Sequence, residues 1–375
     1  MNQDLFGFDM NVWVDALVRV LMIVGFMTVT VMGLIYIERK ILARFQRRLG
    51  PTRTGPFGLL QSLADALKLV GKEDLRPKSA DPWTFELAPY LVFVPVFLGF
   101  VVVPFLIGWQ VRVIELGLLY FIAMSSVNIV GWVMAGWGSD NRYAMIGGMR
   151  AAAQGISYEL PLVLSLLAVA MLADSLNLVD IVTAQGRVPF VVWQPLAFFI
   201  FMVAALAEMN RPPFDIPVGE SEVVGGPFVE YSGIRWSMFF LAEYAALFIL
   251  AAIGASVFLG GWAWPLGEEL GRWWQLILMS AKTGLLIFIV FWVRASVPRL
   301  RIDQLMGYSW KILLPLTLAQ VLVNGAVLVY GWPEPVLLVT GMIGLIALFW
   351  VTERSVRRPR TRPATAMIAQ SEAAS

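Results

Sequence analysis

Long apolar stretches separated by polar or proline-rich breaks dominate the chain from residue 12 to residue 351. Nine approach the length of a membrane crossing: 12–37, 87–107, 113–137, 156–172, 190–207, 236–259, 273–293, 312–332 and 335–351. A bilayer's hydrocarbon core is about 30 Å thick, and a helix crosses it in roughly 20 residues. No water is available there for backbone N–H and C=O groups, so each stretch must close its hydrogen bonds internally as a helix. The fourth, fifth and ninth stretches are short. The pattern predicts an all-α polytopic membrane protein of about nine transmembrane helices, eight of them firm.

Between these stretches, two connections are long and rich in chemistry. In 38–85, a basic run is followed by a turn at Gly55-Pro56 and then by apolar Leu59, Leu60, Leu63, Leu67 and Val70. Polar Gln61, Asp65, Lys68 and Lys72 are spaced four, three and four residues apart, which puts them in one stripe of a helix too short to span. That is an interfacial amphipathic helix. It is either a surface anchor or the wall of a cavity at the membrane edge. The second connection, 208–235, opens on Pro212-Pro213, which stop a helix by removing backbone donors. It carries Asp215, Glu220, Glu222 and Glu230 among Gly219, Gly225, Gly226 and Gly233. Acids concentrated in a tightly turned loop suit a functional carboxylate cluster, or a docking surface for another protein chain.

Composition agrees with a membrane bundle. The 375 residues are 59% hydrophobic and 14% charged, against roughly 25% charged in soluble domains. There is no Cys and no His, so disulfides, thiolate-held iron–sulfur clusters and imidazole proton shuttles are all excluded. Of 28 Lys and Arg residues, 23 fall on one side when the spans are threaded with the N-terminus outside. Cytoplasmic loops collect such cations, so the expected orientation is N-terminus outside and C-terminus inside. Asp4 and Asp9, with no cation before Arg19, do not resemble the basic start of a cleavable signal, and the first span is expected to be retained. A single transmembrane domain is expected over 1–351, with a basic, disordered tail over 352–375.

Charges within spans are costly, at least about 2.5–3.5 kcal/mol at mid-membrane on insertion scales. Glu159, Glu208, Glu243 and Lys282 all fall in or at the end of apolar stretches. Glu115 and the Asp15/Arg19 pair, near the outer surface, are better read as helix-locking groups. The three inner acids lie below the acidic loop. Together they make a plausible proton wire, because carboxylates crowded in low dielectric repel and some take up protons near neutral pH.

Several stretches carry a family resemblance. GPFGLLQSLADALKLVGKED, and PFDIPVGESEVVGG with the following VEYSG, resemble the two signatures of one membrane-subunit family of respiratory complex I, the proton-translocating NADH:quinone oxidoreductase. It is the family of mitochondrial NADH dehydrogenase subunit one. IERKILARFQRRLGP, ISYEL, FLAEY and RLRIDQL add to the resemblance, in order over roughly residues 30–310. The resemblance implies a subunit without a redox centre, at the heel of the complex, that forms a passage for quinone. Along that passage it would place Arg39, Arg44, Phe45, Gln46, Arg48, Phe57, Gln61, Asp65 and Lys68. A carboxylate chain toward the pump subunits would comprise Glu159, Glu208, Asp215, Glu220, Glu222, Glu230 and Glu243, with Arg294. No cofactor or metal would be held by the chain's own ligands. Quinone would be the substrate, and FMN and iron–sulfur clusters would lie on partner subunits. The implied partners are the peripheral-arm subunits of the quinone site and terminal cluster, the small and antiporter-like membrane-arm subunits, and lipid, but no nucleic acid. The Arg-heavy cation set favours a bacterial inner membrane.

The sequence also departs from the family pattern. Val218 and Gly219 stand where relatives commonly carry Glu-Ala, Pro227 and Phe228 replace a usual aromatic and His, and Ser126 stands where some relatives carry Glu. Glu220 and Glu222 are expected to carry the missing acid's load. Two other readings fit a polytopic chain: the membrane anchor of an energy-converting hydrogenase, and an independent ion transporter. The first lacks a reason for the full signature around Gln61–Lys68. The second predicts inverted repeats, which the sequence does not contain.

Overall fold

The computed structural model describes residues 12–105, 112–265 and 271–357, and every regular element among them is helical. Helix α1 (Val12–Phe45) is followed by the surface-lying α2 (Gln61–Gly71), then by α3 (Pro82–Gly99), α4 (Gly117–Gly138) and α5 (Arg142–Ala173). Short helices α6 (Leu178–Ala184) and α7 (Phe190–Trp193) lead into α8 (Pro195–Glu208), and a four-residue turn, α9 (Glu220–Val223), sits in the acidic loop. Then come α10 (Gly233–Phe258), α11 (Arg272–Ser296), α12 (Ile302–Tyr308), α13 (Leu314–Tyr330) and α14 (Pro335–Arg357). Among the described residues, eight helical segments are long and apolar enough to cross a bilayer, with α12 and α13 counting as one; α8 is a shorter apolar helix.

The expected fifth span, 190–207, is broken. Pro195 has no N–H and disfavours helical backbone at the residue before it, and Gln194 is accordingly non-helical, at φ −129° and ψ 60°. Side-chain amides tie the broken segment to its neighbours. Gln194 Nε2 donates to the Ala168 carbonyl at 3.0 Å. Gln185 Nε2 donates to the Ser256 carbonyl at 2.9 Å and its Oε1 accepts from the Phe190 N–H at 3.1 Å. Irregular backbone at membrane depth is tolerated only when protein groups take over its hydrogen bonds in this way.

The fourth span begins earlier than its hydropathy suggests, at Arg142, where the Asn141 side chain accepts from the Tyr143 N–H and caps the helix. Within α5, Pro161 cannot donate to the Ser157 carbonyl four residues back. The hydroxyl of Ser309 fills that vacancy at 2.5 Å, and Trp310 Nε1 donates to Ser157 Oγ at 3.0 Å. Ser309 and Trp310 begin a π-turn, Ser309–Leu313, between α12 and α13. The eighth span is thereby docked on α5 at Ser157, two residues before Glu159. Lys282, on α11, donates its Nζ hydrogens to the carbonyls of Leu259 (2.6 Å), Gly261 (2.7 Å) and Trp264, so this intramembrane cation closes the C-terminal end of α10. Glu115 is exposed in the turn before α4.

Small residues let α3, α4 and α5 approach closely, as in other membrane bundles. A Cβ on Gly131 would come within 2.5 Å of Val92, and one on Gly136 within 2.6 Å of the Ala144 carbonyl oxygen. The acidic loop is pinned by Gln154, whose Nε2 donates to the carbonyls of Ala207 and Phe214, both at 2.8 Å. Helix α14 runs to Arg357; the rest of the expected tail, like residues 1–11, lies outside the described residues.

The α4–α5 contact yields a prediction. Gly136→Val must push α4 away from the α5 backbone, and overpacking of this kind costs about 1–3 kcal/mol. The thermal midpoint of the detergent-solubilised protein should fall measurably, whereas Gly33→Val on α1, where a Cβ meets nothing within 4 Å, should leave it unchanged.

Candidate functional site

The end of α1 carries charge on two faces. Arg39 Nη1 meets Asp65 Oδ2 at 2.6 Å. Asp65 Oδ1 accepts from Gln61 Nε2 at 3.0 Å, and Gln61 Oε1 accepts from Thr54 Oγ1 at 2.7 Å. The polar stripe expected on α2 is therefore turned partly inward onto α1, while Leu63, Leu67 and Val70 are exposed. Phe57, exposed, sits at φ 56°, and the Tyr36 hydroxyl donates to its carbonyl at 3.0 Å. Arg44, Phe45, Gln46 and Arg48 cluster at the exposed end of α1, where Arg48 Nε donates to Gln46 Oε1 at 2.7 Å. Lys68 is exposed on α2. Of the passage residues expected from the sequence, Arg39, Gln61 and Asp65 thus form one polar knot at the rim of an apolar surface.

One residue earlier, Glu38 faces the interior. It is 2% exposed, and its partner Arg211 is 1% exposed. Arg211 Nη1 donates to both Glu38 carboxylate oxygens, at 3.2 and 3.0 Å. Arg211 Nε also lies 2.9 Å from Glu243 Oε1, an ion pair too oblique for a hydrogen bond. Arg294 pairs with Glu38 from the other side. The result is an alternating ladder, Arg294, Glu38, Arg211 and Glu243, contributed by α1, the loop after α8, α10 and α11. The Tyr244 ring lies 4.2 Å from the guanidinium carbon. Burial alone would lower the proton affinity of Arg211, but Glu243, then Tyr244 and Asp215, act against it and hold the guanidinium above its ordinary value. Arg211 Nε and Nη2 have no hydrogen-bond partner among the described residues, so the desolvation of this guanidinium is offset chiefly by the close carboxylates.

The other expected acids occupy distinct surroundings. Glu159 on α5 accepts a hydrogen bond from Ser126 on α4. Glu208, at the end of α8, lines a cavity of about 40 Å³ with Ser125, Asn128 and apolar side chains. Both Glu208 Oε2 and Asn128 Oδ1 are buried there without a hydrogen-bond partner among the described residues. A water needs roughly 10–15 Å³ of such space and some polar partners, so the cavity has room for water between them. In the loop, Glu222 pairs with Arg150 at 2.5 Å and Glu230 accepts from Asn141 Nδ2 at 2.6 Å. The side chain of Glu220 lies outside the described residues. Where relatives' Ala gives way to Gly219, the Arg299 guanidinium occupies the space, and a Cβ there would overlap its nitrogens. Tyr231 fastens the loop's far end, stacking on Phe85 at 4.2 Å and donating to its carbonyl at 3.1 Å; burial pushes its phenol upward.

Two ladder members are not evident from the sequence. Glu38 lies in a run that reads as basic and juxtamembrane, yet it extends the buried stripe of Met27, Val31, Leu34 and Ile35 by one helical step. Arg211 gives no such signal, because Glu38 is 173 residues away in sequence.

Comparisons with known proteins bear on most of the chain. The NADH-quinone oxidoreductase H subunit of Dehalococcoides mccartyi strain CBDB1 is 47% identical over 312 residues, covering 83% of this chain and 86% of that protein. Its counterpart from Geobacillus kaustophilus is 51% identical over 294 residues, covering 77% and 87%. The counterpart from Brevibacillus brevis is 45% identical over 317 residues, covering 84% and 93%. The family model described as NADH dehydrogenase matches residues 18–325, a span that holds the Arg39–Asp65 knot and the whole buried ladder, and the chain belongs to that family.

Proposed function

We propose that this chain, a membrane-arm component of an NADH-quinone oxidoreductase, forms the access passage for quinone and links quinone reduction to proton translocation through its buried charges. The reading rests on the family, on the absence of Cys and His, and above all on the juxtaposition of Glu38 and Arg39. Adjacent residues of α1 hold the rim knot on one face and the buried ladder on the other. A charge change at the rim therefore lies one residue from the buried acids.

In this scheme the isoprenoid tail lies against the apolar side chains around α2, and the headgroup passes the Arg39, Gln61 and Asp65 rim. FMN and the iron–sulfur clusters belong to partner subunits of the peripheral arm, which deliver the electrons. Reduction draws protons to the quinone and alters the local field, and carboxylates in low dielectric respond by changing their proton occupancy. Glu243, Glu208 and Glu159 then relay the change toward the small and antiporter-like subunits, Glu208 through its water-sized cavity. Glu222 and Glu220 stand in for the acid lost at Val218. The cation-rich side, which carries the α2 rim, faces the cytoplasm of a bacterial inner membrane.

Two measurements test the scheme. Asp65→Asn removes the partner of Arg39 at a partly exposed site, and quinone-dependent turnover of the intact complex should fall about tenfold, the equivalent of roughly 1.4 kcal/mol, chiefly through KM for quinone. NADH oxidation with a water-soluble artificial acceptor should be unaffected, and an unchanged quinone KM would remove the passage assignment. Neutralising the relay with Glu159→Gln and Glu243→Gln together should uncouple the enzyme: protons pumped per NADH should drop by at least half while assembly is retained. A wild-type ratio in that double variant would defeat the relay.

A further inference from the structure

A second hollow shares no lining residue with the rim or the ladder. It is a groove of about 1320 Å³ bounded by α8, α11, α12, the π-turn and α14. Its floor is apolar, with Phe198, Met202 and Leu206 from α8 and Ile289 and Val293 from α11. Phe198 to Leu206 covers about 12 Å of helix axis, so the groove runs along the bundle. Its polar end is set by topology. The loop after α11 is bonded to the loop after α8, Leu300 N–H to Pro213 carbonyl at 3.1 Å; the ends of α8 and α11 and the start of α12 therefore share one side of the membrane. Tyr308, Lys311, Asp303 and Arg354 line the groove at that side. Lys311 and Arg354 are exposed, and the guanidinium of Arg354 stacks over Trp350 at 3.5 Å, which fixes its position at the mouth. With Asp303 included, the mouth carries two cations against one anion.

We propose that this groove holds a diacyl phospholipid with an anionic headgroup, from the leaflet on the cation-rich side. Its acyl chains lie along α8 and α11 and its phosphate between Lys311 and Arg354. The charge decides the occupant. An apolar trough alone would take any chain, but cations at headgroup level attract an anionic lipid by about 1 kcal/mol each, and a neutral quinone headgroup carries no charge for them to neutralise. The groove has no part in the electron or proton path described above, so the site stands or falls independently of that reading.

The test uses the intact complex in phosphatidylcholine nanodiscs doped with either phosphatidylglycerol or phosphatidylcholine carrying the same photoreactive acyl chain. After irradiation and digestion, phosphatidylglycerol adducts should concentrate on the peptides containing Phe198 to Leu206 and Ile289 to Val293, well above those from the phosphatidylcholine probe. In the double variant Lys311→Ala and Arg354→Ala the preference between probes should fall roughly tenfold. Met202→Trp, which fills the floor and leaves both cations in place, should suppress adducts from both probes. Equal labelling of the wild-type groove by the two probes overturns the proposal, as does labelling by a photoreactive quinone in place of lipid, or a crosslink from the groove to another protein of the complex. Because the first comparison needs only the wild-type complex, a variant that fails to assemble does not remove the test.

Discussion

The structure depends on holding Arg211 in the interior without exposing its charge to lipid. Desolvating a guanidinium costs several kcal/mol, and removing one partner of a buried pair typically costs about 3–5 kcal/mol because the other charge is stranded. Everything nearby serves to meet that demand. Glu38 reaches it from α1 and Glu243 from α10, Arg294 balances Glu38 from α11, and the Tyr244 ring covers one face. Four elements far apart in sequence are thus tied at one point. The end of α8 answers to the same requirement, since Arg211 sits just past it, where Gln154 holds the loop against α5.

Much of this was legible in the residues. Hydropathy marked the crossings because lipid leaves the backbone no alternative to helices, and the four–three–four spacing from Gln61 to Lys72 marked the surface helix. The break at Gln194 was equally present in the sequence, as a proline within an apolar run, but an apolar count does not register a missing N–H. The early start of α5 escaped for the opposite reason: its first turns are polar and glycine-rich, and only the Asn141 cap and close packing against α4 make them helical. Asp65 and Arg39 could be named individually but not paired, since a 26-residue separation spans a loop whose path no local rule specifies. Glu38 continues the buried stripe of α1, but its basic neighbours hide it in the sequence. Arg211 belongs to no such stripe, and its role exists only in three dimensions.

The acids differ in what surrounds them, and this sorts them chemically. Glu38 and Glu243 face fixed cations. Glu222 and Glu230 are tied to neighbours at the loop surface. Glu159 has a hydroxyl partner, and Glu208 opens onto a cavity with an oxygen that has no hydrogen-bond partner among the described residues. A carboxylate paired with a cation is fixed in place, whereas one beside an unfilled polar hollow has room to meet water. The inner acids are therefore a graded set.

The serine hydroxyl that satisfies the carbonyl orphaned by Pro161 has a mechanical corollary. It welds the eighth crossing to the fourth at the level of Glu159, through a wide turn that already lacks the regular pitch of an α-helix. Any rotation of the fourth crossing must either drag that turn along or surrender the bond and strand the oxygen. The two segments are thereby geared together, and torque applied at one is transmitted to the side of the protein that faces away from it.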